Sequence, residues 1–385
     1  MTNTGPNTSP YYNVRDYGAT GNGTTDDTVP ILEAIAAASP SAVPTGDTVF
    51  FPAGKYLVSR SLVIPDGLTF QGAGWNTPGS QVNVFAGSWI CAEAGADFSP
   101  VTIAGSGGAV RNLGFNVYHQ STTGQIAPAQ PMIRITGHNA LVEHVFLFNP
   151  FGGIYLDGAA QSVIRRIFGQ PLNYGIRIDR SFDTNYIEHV HLWPYSHPGG
   201  TPGNAYQLAN GTGIHLLRCD NPHMSNIFVF NYNKGISLSS SQAGTPHKVH
   251  LLNADFDNCV TGIHVDAPGQ SGYSATMQMA NVTVQSPTGA DAPKGHGISI
   301  EASAAFTMVQ ACNLRIAHSA TNAIRIDADN VTFYGENVSL ESWHGDCGFY
   351  IGSRSSFAYM GVGFGYTPGG TPYAPKSQFR MARLA

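Results

Sequence analysis

Gly153-Ile154-Tyr155-Leu156, Gly175-Ile176-Arg177-Ile178, Gly213-Ile214-His215-Leu216, Gly235-Ile236-Ser237-Leu238 and Gly262-Ile263-His264-Val265 are one phrase written five times. A glycine precedes two apolar residues that flank an outward one. Looser copies stand at Met132–Ile135, Gly297–Ile300, Ala323–Ile326 and Gly348–Ile351, so the pattern runs from Pro131 to Gly352. Subtracting positions gives tight spacings of about 21 or 22 residues (133 to 154, 154 to 176, 214 to 236), stretched elsewhere by insertions. A period in the twenties means stacked units, none of which can bury its apolar face alone.

A second alternating run lies between successive phrases. Examples are Val142-Glu143-His144-Val145-Phe146-Leu147, Ile187-Glu188-His189-Val190-His191-Leu192 and Met224-Ser225-Asn226-Ile227-Phe228-Val229. Alternation among β-branched residues, punctuated by Asn, Asp, Gly and Ser, reads as short strands and turns. The absence of a helical period between them excludes leucine-rich, ankyrin and βαβ arrays. A parallel β-helix remains, with coils about 4.8 Å apart, aliphatic columns inside and rows of side chains on flat outer faces.

Composition agrees. Of 385 residues, 42% are apolar, enough for a large core, while Gly 45, Pro 24 and only 11% charged residues suit many turns and little helix. The formal net charge of −5 lacks the basic stripe that nucleic-acid binding needs. Cys91, Cys219, Cys259, Cys312 and Cys347 are scattered, which suits small core or turn residues better than a disulfide framework or a zinc site. None of the fourteen histidines shows metal-ligand spacing, and no metal or other cofactor is expected. No apolar run approaches membrane-spanning length and no signal peptide is visible, so membrane insertion is not expected. A virion tail or the extracellular space is the expected location.

Taken in order, residues 1–11 read as a flexible lead-in, 12–75 as a cap and first coils, 76–366 as the β-helix and 367–385 as a C-terminal tail serving as lid or inter-subunit strand. Asp26 or Asp27 is placed to cap a helix over about Val29–Ala38, whose Ile31, Leu32 and Ile35 would cover the open end of the stack. The segments Val14-Arg15-Asp16-Tyr17-Gly18-Ala19-Thr20-Gly21-Asn22-Gly23-Thr24-Thr25-Asp26-Asp27, Phe50-Phe51-Pro52-Ala53-Gly54-Lys55-Tyr56 and Leu68-Thr69-Phe70-Gln71-Gly72-Ala73-Gly74 strongly resemble the N-terminal signature of pectate-lyase-superfamily β-helices. That resemblance implies a right-handed, single-stranded, pectin-lyase-like parallel β-helix. The signature recurs in phage tailspikes and depolymerases and in bacterial lyases, glycosidases and epimerases. It marks the cap and first coils, not an active site.

Candidate chemistry lies on the outer rows. Aligning the second strands places Phe146, Phe168, His191, Phe228, Asp255, Thr283, Arg315 and Ser339 in one row. Phe148, Gln170, Trp193, Phe230, Asp257, Gln285, Ala317 and Glu341 form the next. Aromatic rings suit sugar faces, so Trp193, Phe228 and Phe230 with Arg315 are candidate substrate contacts; packing against a subunit or a long loop is the alternative. Asp255 and Asp257, two apart on one strand, lie about 6.6 Å apart, at the edge of the roughly 6.5–9.5 Å window of an inverting carboxylate pair. A solvated Asx turn is the plainer alternative. The stretch Ile178–Pro194, dense in acids, His and Trp, adds Asp183 and Glu188 as acid or base and His191 as proton shuttle or sugar ligand. Asp220, one coil on, and Tyr195, in the insertion after Pro194, are added as substrate contacts. A similar phrase occurs in phage-associated members of the superfamily. Asp157, Asp179, Asp266, Glu301 and Asp327 form a further row, read by default as turn formers. The Asn-Thr-Asp and Gly-Asp-Asp of polygalacturonases, the Asp-Pro-His-Glu of alginate epimerases and the paired arginines of pectate lyases are absent.

The resemblance therefore implies a tailspike-like homotrimer that binds and depolymerises a bacterial surface polysaccharide, as glycoside hydrolase or lyase. A free bacterial carbohydrate-active enzyme and a non-enzymatic glycan-binding β-helix are the alternatives.

Overall fold

A computed structural model describes residues 11–40, 46–77, 85–118, 120, 126–195, 201–269, 276–287, 295–319, 321–341, 343, 348–352, 355–363 and 382–383. The lead-in before Tyr11, parts of the insertions near 119–130, 196–200, 270–275 and 288–294, and the C-terminal tail except Ala382–Arg383 lie outside them. The chain is a right-handed parallel β-helix. The repeated phrase supplies the first face, a sheet of 12 parallel strands from Leu62–Ile64 through Tyr174–Asp179 and Thr212–Leu216 to Ala382–Arg383.

The second run is one strand by its hydrogen bonds but two by its shape. In Leu141–Phe148 the first half pairs with Ala109–Arg111 and the second with Gly114–Tyr118, on either side of His144. His144, Arg166, His189, Asn226, Asn253, Asn281, Asn313 and Asn337 occupy this bend in successive coils, all with φ between 52 and 55°. A residue there must adopt the left-handed region, which Asn tolerates better than most. The strand halves before and after the bend form the second and third faces. Asparagine also links the coils: the Nδ2 groups of Asn253, Asn281, Asn313 and Asn337 each donate to the Oδ1 of the preceding asparagine, at 2.8–3.3 Å.

Inside, Ile154, Ile176, Ile214, Ile236 and Ile263 stack in register and are fully or almost fully buried. Each such side chain contributes about 1.5–3 kcal/mol relative to exposure. The phrase needs its glycine because the third face's inner column passes close by. A Cβ on Gly235 would sit 2.4 Å from Cδ1 of Phe256 and 2.6 Å from the Gly262 carbonyl oxygen.

At the open end α1 (Thr28–Ala38) buries Ile31, Ala34, Ile35 and Ala38 against the first coil. The capping differs from the simple expectation. Asp26 accepts the Thr28 amide at 3.0 Å. Asp27, at the N-cap position, instead turns its carboxylate back to the Thr20 and Gly21 amides and closes the glycine-rich loop.

Candidate functional site

The third face carries the two rows expected from the sequence. Phe146, Phe168, His191, Phe228, Asp255, Thr283, Arg315 and Ser339 are consecutive register partners. Its aromatic end is partly roofed by loops. Trp75 packs on Phe146 and Phe168 at 5.0 and 5.4 Å, and Tyr195 packs on Phe146 at 5.0 Å while its hydroxyl meets His191 Nδ1 at 2.9 Å. The remaining rings pack along the stack: His191 lies face to face on Phe228 at 4.8 Å and Trp193 packs tilted on Phe230 at 4.3 Å. The ring faces in contact with each other are closed to a sugar. What remains open is ring edges and the outer side of Trp193, which is 38% exposed.

Burial lowers the His191 pKa, so the imidazole is neutral at pH 7. Phe228 separates it from Asp255, two coil spacings or about 9.6 Å away, too far for direct proton exchange. The Asp257 carboxyl is raised, by burial first and by the Asp255 charge as a lesser cause. Arg315 is engaged with Glu341 through two hydrogen bonds of 2.7 and 2.6 Å.

The other sequence candidates lie elsewhere. Glu188 points from the second face, in register with Arg165 and Ser225. Asp183 and Asp220 sit in turns between the first and second faces, each engaged by other groups. Asp183 is exposed and held below the usual carboxylate range by the Thr184 amide and Gln161. Asp220 takes two bonds from Arg218 at 2.8 and 2.9 Å. Of the eleven candidates, eight thus lie on or over the third face, one on the second face and two in turns.

The densest chemistry is on the first face, at the outward position of the repeated phrase. Tyr155, Arg177, His215, Ser237, His264 and Ser299 are consecutive register partners there, and Tyr174, Thr212 and Lys234 run beside them. The Arg177 guanidinium lies over the Tyr155 ring at 5.1 Å and the Tyr174 ring at 6.0 Å. His264 Nε2 is 3.5 Å from Glu301, its Nδ1 is 4.0 Å from Asp266, and Ser299 donates to Glu301 at 2.7 Å. Burial, with Arg177 and Lys234 adding, pushes His215 down to about 4. Burial followed by Lys234 lowers His264, and burial lowers Lys234 itself. Burial, followed by the charge of Asp157, pushes Tyr155 up to about 12. Two polar atoms here, Arg177 Nε and Asp266 Oδ1, are buried without a hydrogen-bond partner among the described residues.

This arrangement sets neutral imidazole bases and a protonated phenol beside two cations, the equipment for proton transfer on an anionic substrate. The sequence held the signal in plain sight, as the middle letter of Gly-Ile-His-Leu and Gly-Ile-His-Val. Of the acidic row read as turn formers, Asp157 bridges Arg134 and Arg180, Asp179 accepts the Arg180 and Arg218 amides and the Ser241 hydroxyl, and Asp327 binds Arg325. Asp266 and Glu301 instead face His264. Among the described residues no group of three or more His, Cys, Asp or Glu is placed to hold a metal ion, and no helix is long and apolar enough to cross a membrane.

A right-handed parallel β-helix with side chains from successive coils aligned on its outer faces is the architecture of the pectate-lyase-like class. The chain belongs to the rhamnogalacturonase A/epimerase, pectate lyase-like family, whose profile matches residues 11–284. It is 43% identical over 70 residues to the mannuronan C5-epimerase AlgE4 of Azotobacter vinelandii, a stretch covering 16% of this chain and 12% of that protein. Its fold is similar to the A-module of the Azotobacter vinelandii mannuronan C-5 epimerase AlgE6 (TM-score 0.62, 16% identity, 94% of this chain and 96% of that one). It is also similar to a double mutant of the tailspike protein of E. coli bacteriophage HK620 (TM-score 0.58, 11% identity, 92% and 65%).

Proposed function

We propose that this protein binds an acidic bacterial surface polysaccharide and cleaves it at uronate units on the first face, by lyase chemistry, as a tailspike-like homotrimer on a virion tail. One observation carries the reading: two cations, two neutral imidazoles and a high-pKa tyrosine share that face, with buried polar atoms of Arg177 and Asp266 left unpaired. Arg177 and Lys234 hold the sugar carboxylate. His215 or His264 removes the proton on the adjacent carbon, and the electron pair forms a carbon–carbon double bond as the glycosidic C–O bond breaks. Water supplies the proton to the departing oxygen, because Tyr155 stands two coil spacings from His215 and four from His264, about 9.6 and 19 Å. The similarity to a mannuronan epimerase over 70 residues supports a uronate substrate.

A second reading has one observation of its own. The raised carboxyl of Asp257 beside Asp255 fits a general acid and its partner base in hydrolysis. Incubation with acidic capsular and alginate-type polysaccharides separates the readings. Elimination yields reducing ends together with the ultraviolet absorbance of an unsaturated uronate, hydrolysis yields reducing ends alone, and a binding protein yields neither. Light scattering in solution tests the trimer.

A further inference from the structure

We infer that the second face carries a separate groove that binds a neutral, linear glycan. The inference rests on the reading of this chain as a polysaccharide-handling protein, but uses none of the first-face residues. The groove has a volume of about 1060 Å³. One rail is the register row Tyr186, His223, His250, Gln278, Gln310 and Tyr334. Over its five coil spacings it runs about 24 Å. Tyr186 stacks on His223 at 5.5 Å and His223 on His250 at 4.5 Å, while Gln278 donates to Gln310 at 2.6 Å. The first three groups are held in one stack and the two glutamines in one hydrogen bond, so the rail presents a line of phenol, imidazole and amide edges that can donate and accept.

The opposite row reads Glu188, Ser225, Leu252, Ala280, Cys312 and Glu336. Small side chains in its middle leave the trough, and Leu252, 45% exposed, offers an apolar surface. A carboxylate stands at each end, and no lysine or arginine lines the groove. An acidic polymer or nucleic acid would meet uncompensated negative charge there. A hydroxyl-rich neutral chain meets hydrogen-bonding edges on one side and hydrocarbon on the other, the mixed lining of small-ligand sites. The first face, by contrast, carries the cations Arg177 and Lys234. The two faces therefore sort ligands by charge.

The test is calorimetric titration of the full chain with cello-, malto-, manno- and galactohexaose, and with oligomannuronate as the acidic comparison. At least one neutral hexasaccharide binds with a Kd below ~1 mM. Both Ala280→Trp, which fills the trough, and the paired Gln278→Ala and Gln310→Ala change weaken it at least tenfold. Lys234→Met leaves it unchanged, so loss of uronate cleavage and loss of this site are told apart. The glutamine pair keeps the test open should the tryptophan variant fail to fold. Failure of all four neutral hexasaccharides to bind overturns the inference, as does binding unaffected by the groove variants. So does an oligomer that Ala280→Trp dissociates, which would make the groove an interface between copies.

Discussion

His264 Nε2 lies 3.5 Å from the Glu301 carboxylate, across one coil boundary, yet its pKa is lowered rather than raised. Burial and the Lys234 charge outweigh the two nearby acids. The imidazole is therefore a base with no proton at neutral pH. Cleavage of an acidic polysaccharide is expected to hold its kcat/KM on acidification until below the ordinary histidine value of about 6.5. His264→Gln lowers kcat by about 10²–10⁴-fold, the usual range for a general base. A pH–rate series on both proteins checks this.

Stability should follow the same group of histidines. His215 titrates at about 4 in the folded chain, against about 6.5 when unfolded. Between those values the unfolded chain binds more protons, so stability is complete above the upper value and falls as the pH drops toward the lower one. Melting temperatures from neutral pH down to pH ~4 should decline, and His215→Gln should flatten the decline across that window.

Lys234 is expected to act through charge. Its removal in Lys234→Met takes away a cause that lowers both His215 and His264. Both imidazoles then titrate higher, and the acid limb of the rate profile moves up with them. The loss of a carboxylate-holding cation should also cut kcat/KM for a uronate polymer by about 10–100-fold. Histidine resonances followed by NMR over pH read the rise, and an unchanged melting curve and fold separate it from misfolding, since loss of burial would also raise both values.

The coil, its period and the third-face rows were legible because burial imposes a strict inside–outside alternation that letters record directly. The bend was harder to see. Val142, Val145 and Leu147 all point inward, a spacing of three and then two, and only the left-handed residue at position 144 accounts for the break. The first-face residues were present as His215, His264, Arg177 and Lys234, but the first three sit between apolar neighbours and Lys234 between Asn233 and Gly235, and all read as filler. What makes them a site is stacking between residues about 20–40 apart together with desolvation, and neither is a local property of sequence. Conversely, Asp183 looked catalytic because its neighbourhood was polar, and that polarity is spent on turn hydrogen bonds.

Asp257 offers a check on the third face that does not depend on which reaction occurs. Its carboxyl is raised, so the folded chain favours the protonated form and loses stability as pH rises through the shifted value. Asp257→Asn, neutral at all pH, should raise Tm at neutral pH and change it little in acid, where the wild-type carboxyl is already protonated. A variant destabilised equally at both would show that the side chain serves a structural role there. If the second reading holds, the same variant abolishes the release of reducing ends.

The asparagine column is the last test, and it probes what holds the faces at their angle. Asn281 has φ 55°, donates to Asn253 at 2.9 Å and accepts from Asn313 at 2.9 Å. Alanine at this bend keeps the left-handed backbone at a cost of about 1–2 kcal/mol and forfeits two hydrogen bonds worth about 0.5–1.5 kcal/mol each. Glycine loses the same bonds but relieves the backbone. Asn281→Ala is thus expected to be destabilised by about 2–5 kcal/mol and Asn281→Gly by about 1–3 kcal/mol, the order itself being the diagnostic. Urea unfolding with unchanged m-values measures both. Were alanine as stable as glycine, the bend would not depend on a residue that tolerates positive φ, and the preference for asparagine would rest on the hydrogen-bonded column alone.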